Sequence, residues 1–277
     1  MLRILHRDEH LVAIDKPAGL LVHRTGLDAG ETRFALQLLR DQLGRPVWPV
    51  HRLDKGTSGV LLFALDATSA AALGRRFESG EALRKTYLAA VRGWPPDEGL
   101  VDHPLGRLED DARAGRDALQ DARSRFRTLA RHELPLPGAR FPTTRCALLE
   151  LQPLTGRRHQ LRRHMKHLAH PILGDATHGK GPLNRALAGL LGIRRLWLHA
   201  LRLELAHPVT GHALRIEAKP GDEWRAWAAW PGESGSGESG SGESGASDIG
   251  SGDAGARDAA FADAGAGDAR SDAPPLR

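Results

Sequence analysis

The stretch Val50-His51-Arg52-Leu53-Asp54-Lys55-Gly56-Thr57-Ser58-Gly59 sets one carboxylate between two cations, with two glycines, directly before the apolar run Val60-Leu61-Leu62-Phe63-Ala64-Leu65. A carboxylate on a glycine-rich loop held by a rigid strand is placed as catalytic groups often are. On residue types alone two roles are open to Asp54: a reactive acid, or a turn residue that caps Thr57 or Ser58. A second concentration, Thr155-Gly156-Arg157-Arg158-His159-Gln160-Leu161-Arg162, opens a helix in which Leu161, Met165 and Leu168 recur at i, i+4 and i+7 as a buried stripe. Arg158, Arg162 and Lys166 line the adjacent face, either as solvated cations or as anion ligands. Arg157 and Arg158 are expected in the first helical turn, where the macrodipole disfavours cations and an incoming phosphate would relieve the conflict. His164, His167 and His170 form an H-x-x-H-x-x-H run. Steps of three residues turn successive rings by about 300° around a helix, and no carboxylate base of the HExxH kind accompanies them, so no metal site is expected. Tyr87, the only tyrosine, reads by itself as a half-buried strand residue, and Leu198 as a core leucine.

These groups need a scaffold, and the chain supplies one with mixed periodicities. Leu11-Val12-Ala13-Ile14, the turn Lys16-Pro17-Ala18-Gly19 and Leu20-Leu21-Val22-His23 predict strand, turn, strand. Phe34, Leu38 and Leu39 at helical spacing predict a helix from Thr32 to Leu43, stopped by Gly44. The run Val60 to Leu65 predicts a strand buried on both faces. A second helix is expected from Thr68 to Glu78, then strands through Tyr87 to Val91, near Ser124 to Leu129 and at Arg145 to Leu151. Residues 106–122 are charged, without a clear period, and read as a surface excursion. Trp197 to Leu205 and Ala213 to Ala218 read as a hairpin around Pro208-Val209-Thr210-Gly211. No regular βαβ rhythm appears. The expected class is α+β, a mixed and largely antiparallel sheet with flanking helices, in two coupled subdomains.

Charge narrows the partner. The composition breaks at Pro231, after which Gly-Glu-Ser-Gly-Ser and Asp/Ala/Gly units carry nine acidic and three basic residues. Residues 1–230 are left with 36 basic and 25 acidic side chains, a net charge of +11. A basic domain of this size favours a polyanionic partner, since phosphate contacts release condensed counterions. The segment 231–277 has too little apolar surface to offset its ordering entropy and is expected to be disordered. Charged residues follow Met1 closely, which leaves no signal-peptide core, and no apolar run is long enough to span a bilayer; the cytoplasm is the expected compartment. Cys146 stands alone, excluding an intrachain disulfide and any multi-cysteine zinc site, and reads as a small buried strand residue.

The string HRLDKGTSG before an apolar strand resembles the signature of the RluA-type pseudouridine synthases, with Asp54 at the catalytic aspartate. His10-Leu11-Val12-Ala13-Ile14-Asp15-Lys16-Pro17-Ala18-Gly19 is similar to the family's first segment. Arg84-Lys85-Thr86-Tyr87 resembles its tyrosine segment, and Thr155 to Arg162 its arginine segment. His170-Pro171-Ile172-Leu173-Gly174-Asp175 and Leu198-His199-Ala200 fit as well, so the likeness spans about Leu2 to Trp230. That many ordered matches carry far more weight than one short pattern. The resemblance implies an isomerase that needs no cofactor. In it Asp54 attacks the target uridine, Arg162 pairs with Asp54 and favours its charged form, Tyr87 stacks on the uracil and assists proton removal from carbon 5, and Leu198 floors the base. Arg52 fills the gap left by the extruded nucleotide. Independently of the resemblance, the unfavourable placing of Arg157 and Arg158 at the helix start leads to the expectation that they hold RNA backbone. Leu21-Val22-His23-Arg24 with Leu27-Asp28, Phe141-Pro142-Thr143-Thr144-Arg145, Arg162-Arg163-His164 and Asn184-Arg185 are similar to members that modify uridine 65 in the T-stem region of tRNA. The expected partner is therefore tRNA, with large-subunit ribosomal RNA as the alternative and no membrane. A non-catalytic RNA-binding protein of the same fold is the reading from another class, and a monomer is the default.

Overall fold

The computed structural model describes residues 1–24, 30–80, 82–108, 119–137, 141–225 and 227. Leu27 and Asp28, most of the charged excursion and the expected disordered segment 231–277 lie outside the described residues. Elements run β1 (Arg3–Arg7), β2 (Leu11–Lys16), α1 (Ala35–Leu43), β3 (Trp48–Pro49), β4 (Ser58–Ala64), α2 (Ala67–Ser79), β5 (Leu83–Arg92) and β6 (Glu98–Asp102). They continue through β7 (Leu105–Gly106), β8 (Leu119–Gln120), β9 (Arg123–Leu134), β10 (Thr144–Pro153), α3 (Gln160–His167), α4 (Gly181–Leu191), β11 (Leu198–Ala206) and β12 (Ala213–Glu217).

Ten strands make one sheet in the order β1-β2-β4-β11-β5-β10-β9-β6, with β12 beside β11 and β3 beside β4. Every pairing is antiparallel except β4 with β11. The α+β class expected from the sequence is the class observed, and the two coupled subdomains are two halves of one sheet. They join at a short parallel contact, where His199 and Ala200 face Ser58 and Gly59. Gly59 has φ +106°, and a β-carbon there would stand 2.2 Å from the Ala200 carbonyl oxygen, so only glycine lets the halves close.

Local physics explains most elements. All seven residues of β4 are buried, because the strand lies between β2 and β11 and is covered on both faces. Asp66 caps α2 by accepting from the Ser69 amide at 2.7 Å, worth about 1 kcal/mol for such a cap, and Gly80 ends the helix in the left-handed conformation. The β11–β12 hairpin forms around the turn predicted for it. On the face of the central strands that bears Tyr87, Leu149, Leu151 and Leu198 pack with Leu161 and Met165 of α3 in one apolar cluster. Cys146 is buried on β10, and burial pushes its thiol up to about 12.

Three expectations are corrected. Leu20 to His23 is not a strand: it makes one bridge, Leu21 with Phe34, while the carbonyls of Leu21 and Val22 accept from the Ala35 and Leu36 amides. The segment serves as a backbone cap for α1, satisfying donors that no preceding turn can satisfy. The same bridge holds Phe34 extended, so α1 starts at Ala35 rather than Thr32. The third helix starts at Gln160, which leaves Arg157 and Arg158 in the loop before it. The Gln160 side chain is the reason. Its amide oxygen accepts from the Arg157 amide at 2.9 Å and the Thr155 hydroxyl at 2.7 Å, and its amide nitrogen donates to the Arg123 carbonyl at 2.9 Å. No periodicity had marked β1, β6 or α4 as a strand or helix. Among the described residues, no helix is long and apolar enough to cross a membrane.

Candidate active site

Asp54 stands in the loop from β3 to β4, whose shape is set by backbone bonds. The Asp54 carbonyl accepts from the Thr57 amide at 3.0 Å, and the Lys55 carbonyl accepts from the Gly19 amide at 2.8 Å. Lys16, wholly buried, adds an ammonium bond to that Lys55 carbonyl at 3.2 Å and others to Pro17 and Leu20 at 2.9 and 2.7 Å. Burial pushes this lysine down to about 7, with Asp54 opposing the fall. Because backbone atoms make the turn, the Asp54 side chain is free to point elsewhere.

It points at Arg162. One guanidinium nitrogen donates to Asp54 Oδ2 at 3.0 Å, while Nε and the other terminal nitrogen grip the two oxygens of Asp175 at 2.7 and 2.9 Å. Asp175 is fully buried and also accepts the Thr177 and His178 amides at 2.9 and 2.8 Å. Burial alone would raise the Asp175 pKa, yet Arg162 and these amides hold it below the usual value. The Arg162 charge, opposed by burial, is secured by its hydrogen bonds and attraction to Asp175 and Asp54. Arg162 is therefore a rigid bridge whose one remaining fork is spent on Asp54. Asn184 supports the bridge by donating to the Asp175 carbonyl and accepting from the Gly174 amide, both at 2.9 Å.

The bridge lies along a cleft of about 410 Å³, within the range of small-ligand sites. Tyr87 on β5, Leu198 on β11, Arg52, Arg157 and Arg158 all line it with Asp54 and Arg162, so the seven residues singled out in the sequence meet at one place. Leu198 is 3% exposed and Arg52 stands exposed at the mouth. Burial, reinforced by the Asp54 charge, pushes the Tyr87 phenol above its ordinary value, so it keeps its proton at neutral pH. Arg157 donates through Nε to the Asp121 carbonyl at 2.9 Å.

The cleft also contains residues to which the sequence reading gave no role. Lys85 and His51 line it beside Tyr87. Burial, with Lys85 adding to it, pushes His51 down to about 3, and its Nε2 accepts the Leu62 amide at 3.0 Å. His159 caps α3 in the left-handed conformation, φ +54°, and its Nε2 lies 3.8 Å from Asp54 Oδ1. Its Nδ1 is 3.1 Å from Nε2 of His178. Asp175 and His159 sat in plain view inside quoted motifs, but no periodicity links them to Asp54. The H-x-x-H-x-x-H run, by contrast, disperses: His164 binds Ser124 and the His103 carbonyl, His167 stacks on His103, and His170 faces the Arg92 carbonyl. Among the described residues, no group of three histidine, cysteine or acidic side chains is arranged to hold a metal ion.

Known proteins share this sequence and fold. Residues 10–167 match the family described as RNA pseudouridylate synthase. The tRNA pseudouridine synthase C of Vibrio cholerae is 48% identical over 230 residues, covering 81% of this chain and 93% of that protein. The protein of the same name from Salmonella typhimurium is 49% identical over 228 residues, covering 81% and 87%. Among solved structures, human RNA Pseudouridylate Synthase Domain Containing 1 superposes with a TM-score of 0.64 at 25% identity, covering 84% of this chain and 89% of that one. Its counterpart Domain Containing 4 gives 0.60 at 29% identity, covering 80% and 92%. With a family match over more than half its length, relatives near half identity and the same fold, the chain belongs to the RNA pseudouridylate synthases, isomerases that turn uridine into pseudouridine in RNA.

Proposed function

We propose that this protein isomerises uridine to pseudouridine in tRNA, at position 65 in the T-stem region, with Asp54 as its nucleophile. The observation that carries the reading is the Asp175-Arg162-Asp54 bridge, which aims one carboxylate into a cleft walled by Tyr87 and Leu198. The tRNA assignment draws on the names of the relatives near half identity and on the side motifs of the sequence. A uridine within a stem must leave its stack, at a cost of a few kcal/mol, before the acid can reach it. Arg52 at the mouth takes the vacated place, its planar guanidinium stacking as well as hydrogen-bonding. Arg157 and Arg158 hold the backbone nearby. The helix-terminus reason for that role falls away with the later start of α3, and position on the cleft rim replaces it. In the cleft the uracil lies between Tyr87 and Leu198, Asp54 attacks, the glycosidic bond breaks, and the base turns and rejoins ribose through carbon 5. Arg162 stabilises the carboxylate whenever its charge returns. On this reading residues 1–230 form the catalytic domain, 231–277 an acidic appendage that takes no part in the chemistry, and the protein acts as a monomer in the cytoplasm.

The test is pseudouridine formation on a tRNA transcript and a ribosomal RNA fragment, in chelator and without cofactor, by the native chain and by Asp54→Asn. The expected result is modification of the tRNA alone, lost by at least about 10⁴-fold in the variant while RNA binding persists. Modification confined to the ribosomal fragment would transfer the substrate assignment. Tight binding with no pseudouridine in either RNA would leave a binding protein of this fold.

A further inference from the structure

Isomerisation requires a base for the proton on carbon 5, and two side chains stand directly against the Asp54 carboxylate, Arg162 and His159. The guanidinium of Arg162 has no lone pair to offer, whereas an uncharged imidazole has one. Asp54 itself is divided: Arg162 occupies Oδ2, and Oδ1 faces Nε2 of His159 across 3.8 Å. That gap is too long for a hydrogen bond and opens on the cleft, so an atom attacked by Oδ1 arrives beside the imidazole.

His159 is built for a fixed orientation. It is one of three non-glycine residues with positive φ among those described, a conformation that persists only where the surroundings impose it. Its Nδ1 faces Nε2 of His178 at 3.1 Å, and the His178 amide is held by Asp175, the acid that also holds Arg162. Two neutral rings at that distance share one proton. Placed on Nδ1 of His159, it is donated to His178 and leaves Nε2 with its lone pair toward Asp54. Burial, aided by the charges of Arg162 and Arg158 and by His178, holds His159 below its ordinary value against the pull of Asp54, so the ring is uncharged at neutral pH.

We propose that His159, backed by His178, is the base that takes the proton from carbon 5 of the target uracil. The inference rests on the function proposed above. Once carbon 5 has bonded to ribose it is tetrahedral and still carries its hydrogen. The C5–H bond breaks, its proton goes to Nε2 of His159, and its electron pair closes the C5–C6 double bond. The C6–N1 π pair moves onto N1, which takes up one proton. His159 then gives its proton up, so the isomerisation closes with no change in atoms or electrons.

The test uses a tRNA transcript with deuterium at carbon 5 of its uridines, the native chain, and two variants that accept the left-handed backbone. His159→Asn retains hydrogen bonding but cannot take a proton at neutral pH. His159→Gly leaves a space that free imidazole can fill. The expected result is a loss of turnover on the order of 10²-fold in both, a larger 5-deuterium isotope effect in His159→Asn than in the native chain, and partial rescue of His159→Gly by imidazole. Asn activity within twofold of native, or loss in folded variants with an unchanged isotope effect and no rescue, would overturn the proposal. The native chain is the control for the reaction itself: if it makes no pseudouridine in tRNA, the proposed function fails before the role of His159 is reached.

Discussion

Along β9 to β12, outside the cleft, arginines stand beside acids. Arg127 of β9 lies 3.7 Å from Glu150 of β10, Arg202 of β11 is 3.2 Å from both Glu204 and Glu217, and Arg215 shares that same Glu217. In the cleft the pattern differs: Arg162 is spent on two acids, while Arg52 and Arg157 face the opening with no ion pair to a described acid. The same residue type therefore neutralises its surroundings in one region and leaves a field in the other. Counting arginines does not find the RNA face; the cations left uncompensated do.

The comparison breaks most readily at Asp175. Asp175→Asn leaves a buried guanidinium with one acid instead of two, and a loss of about 3–5 kcal/mol is expected, read from the denaturant midpoint. Pseudouridine formation should fall by about 10²-fold as Arg162 loses its aim on Asp54. A variant as stable and active as the native chain would mean that the bridge does not organise the site. The next effect is one of pH. His51 is held down to about 3 in the folded state against an ordinary 6.5, so between those values the unfolded chain binds a proton that the folded one does not. Stability therefore falls as pH drops through this window, by about 3 kcal/mol from pH 6.5 to 4 for this ring. Urea titrations of the native chain and His51→Gln at both pH values measure it, and equal slopes in the two proteins would refute it.

Smaller still is the change on the cleft rim. Arg52→Ala with Arg157→Ala should flatten the salt dependence of tRNA binding by about one to two units of slope, with about tenfold weaker affinity at fixed salt. An unchanged slope would show that these cations do not touch phosphate. Smallest of all, Arg127→Ala with Arg215→Ala should leave that slope and the melting temperature unaltered, because exposed, already paired charges contribute little. A flatter slope in this variant would erase the distinction between the regions.

Much of this was legible because it is local. Apolar continuity from Val60 to Leu65 requires a strand buried on both faces, and the stripe Leu161, Met165 and Leu168 requires a helix lying on apolar surface. The turn at Pro208 to Gly211 requires a hairpin. The seven candidate residues came from matching ordered motifs, and all seven line one cleft. Local rules failed where distant atoms competed for the backbone. Leu20 to His23 looks like a strand, but its carbonyls are claimed by α1. Arg157 and Arg158 look helical, but the Gln160 side chain turns back to take the Arg157 amide.

The sequence by itself determined the strands, helices, excess positive charge and motif residues, since these depend on side-chain type and on spacings of a few positions. Only the tertiary structure decided that Arg162 reaches Asp54 across 108 positions, that Asp175 holds it there, and that His159 faces the other oxygen of Asp54. The reason is physical. Periodicity records which face of an element is apolar, whereas the meeting of three loops depends on how β4, β11 and β5 pair, and that pairing is settled by the whole sheet at once.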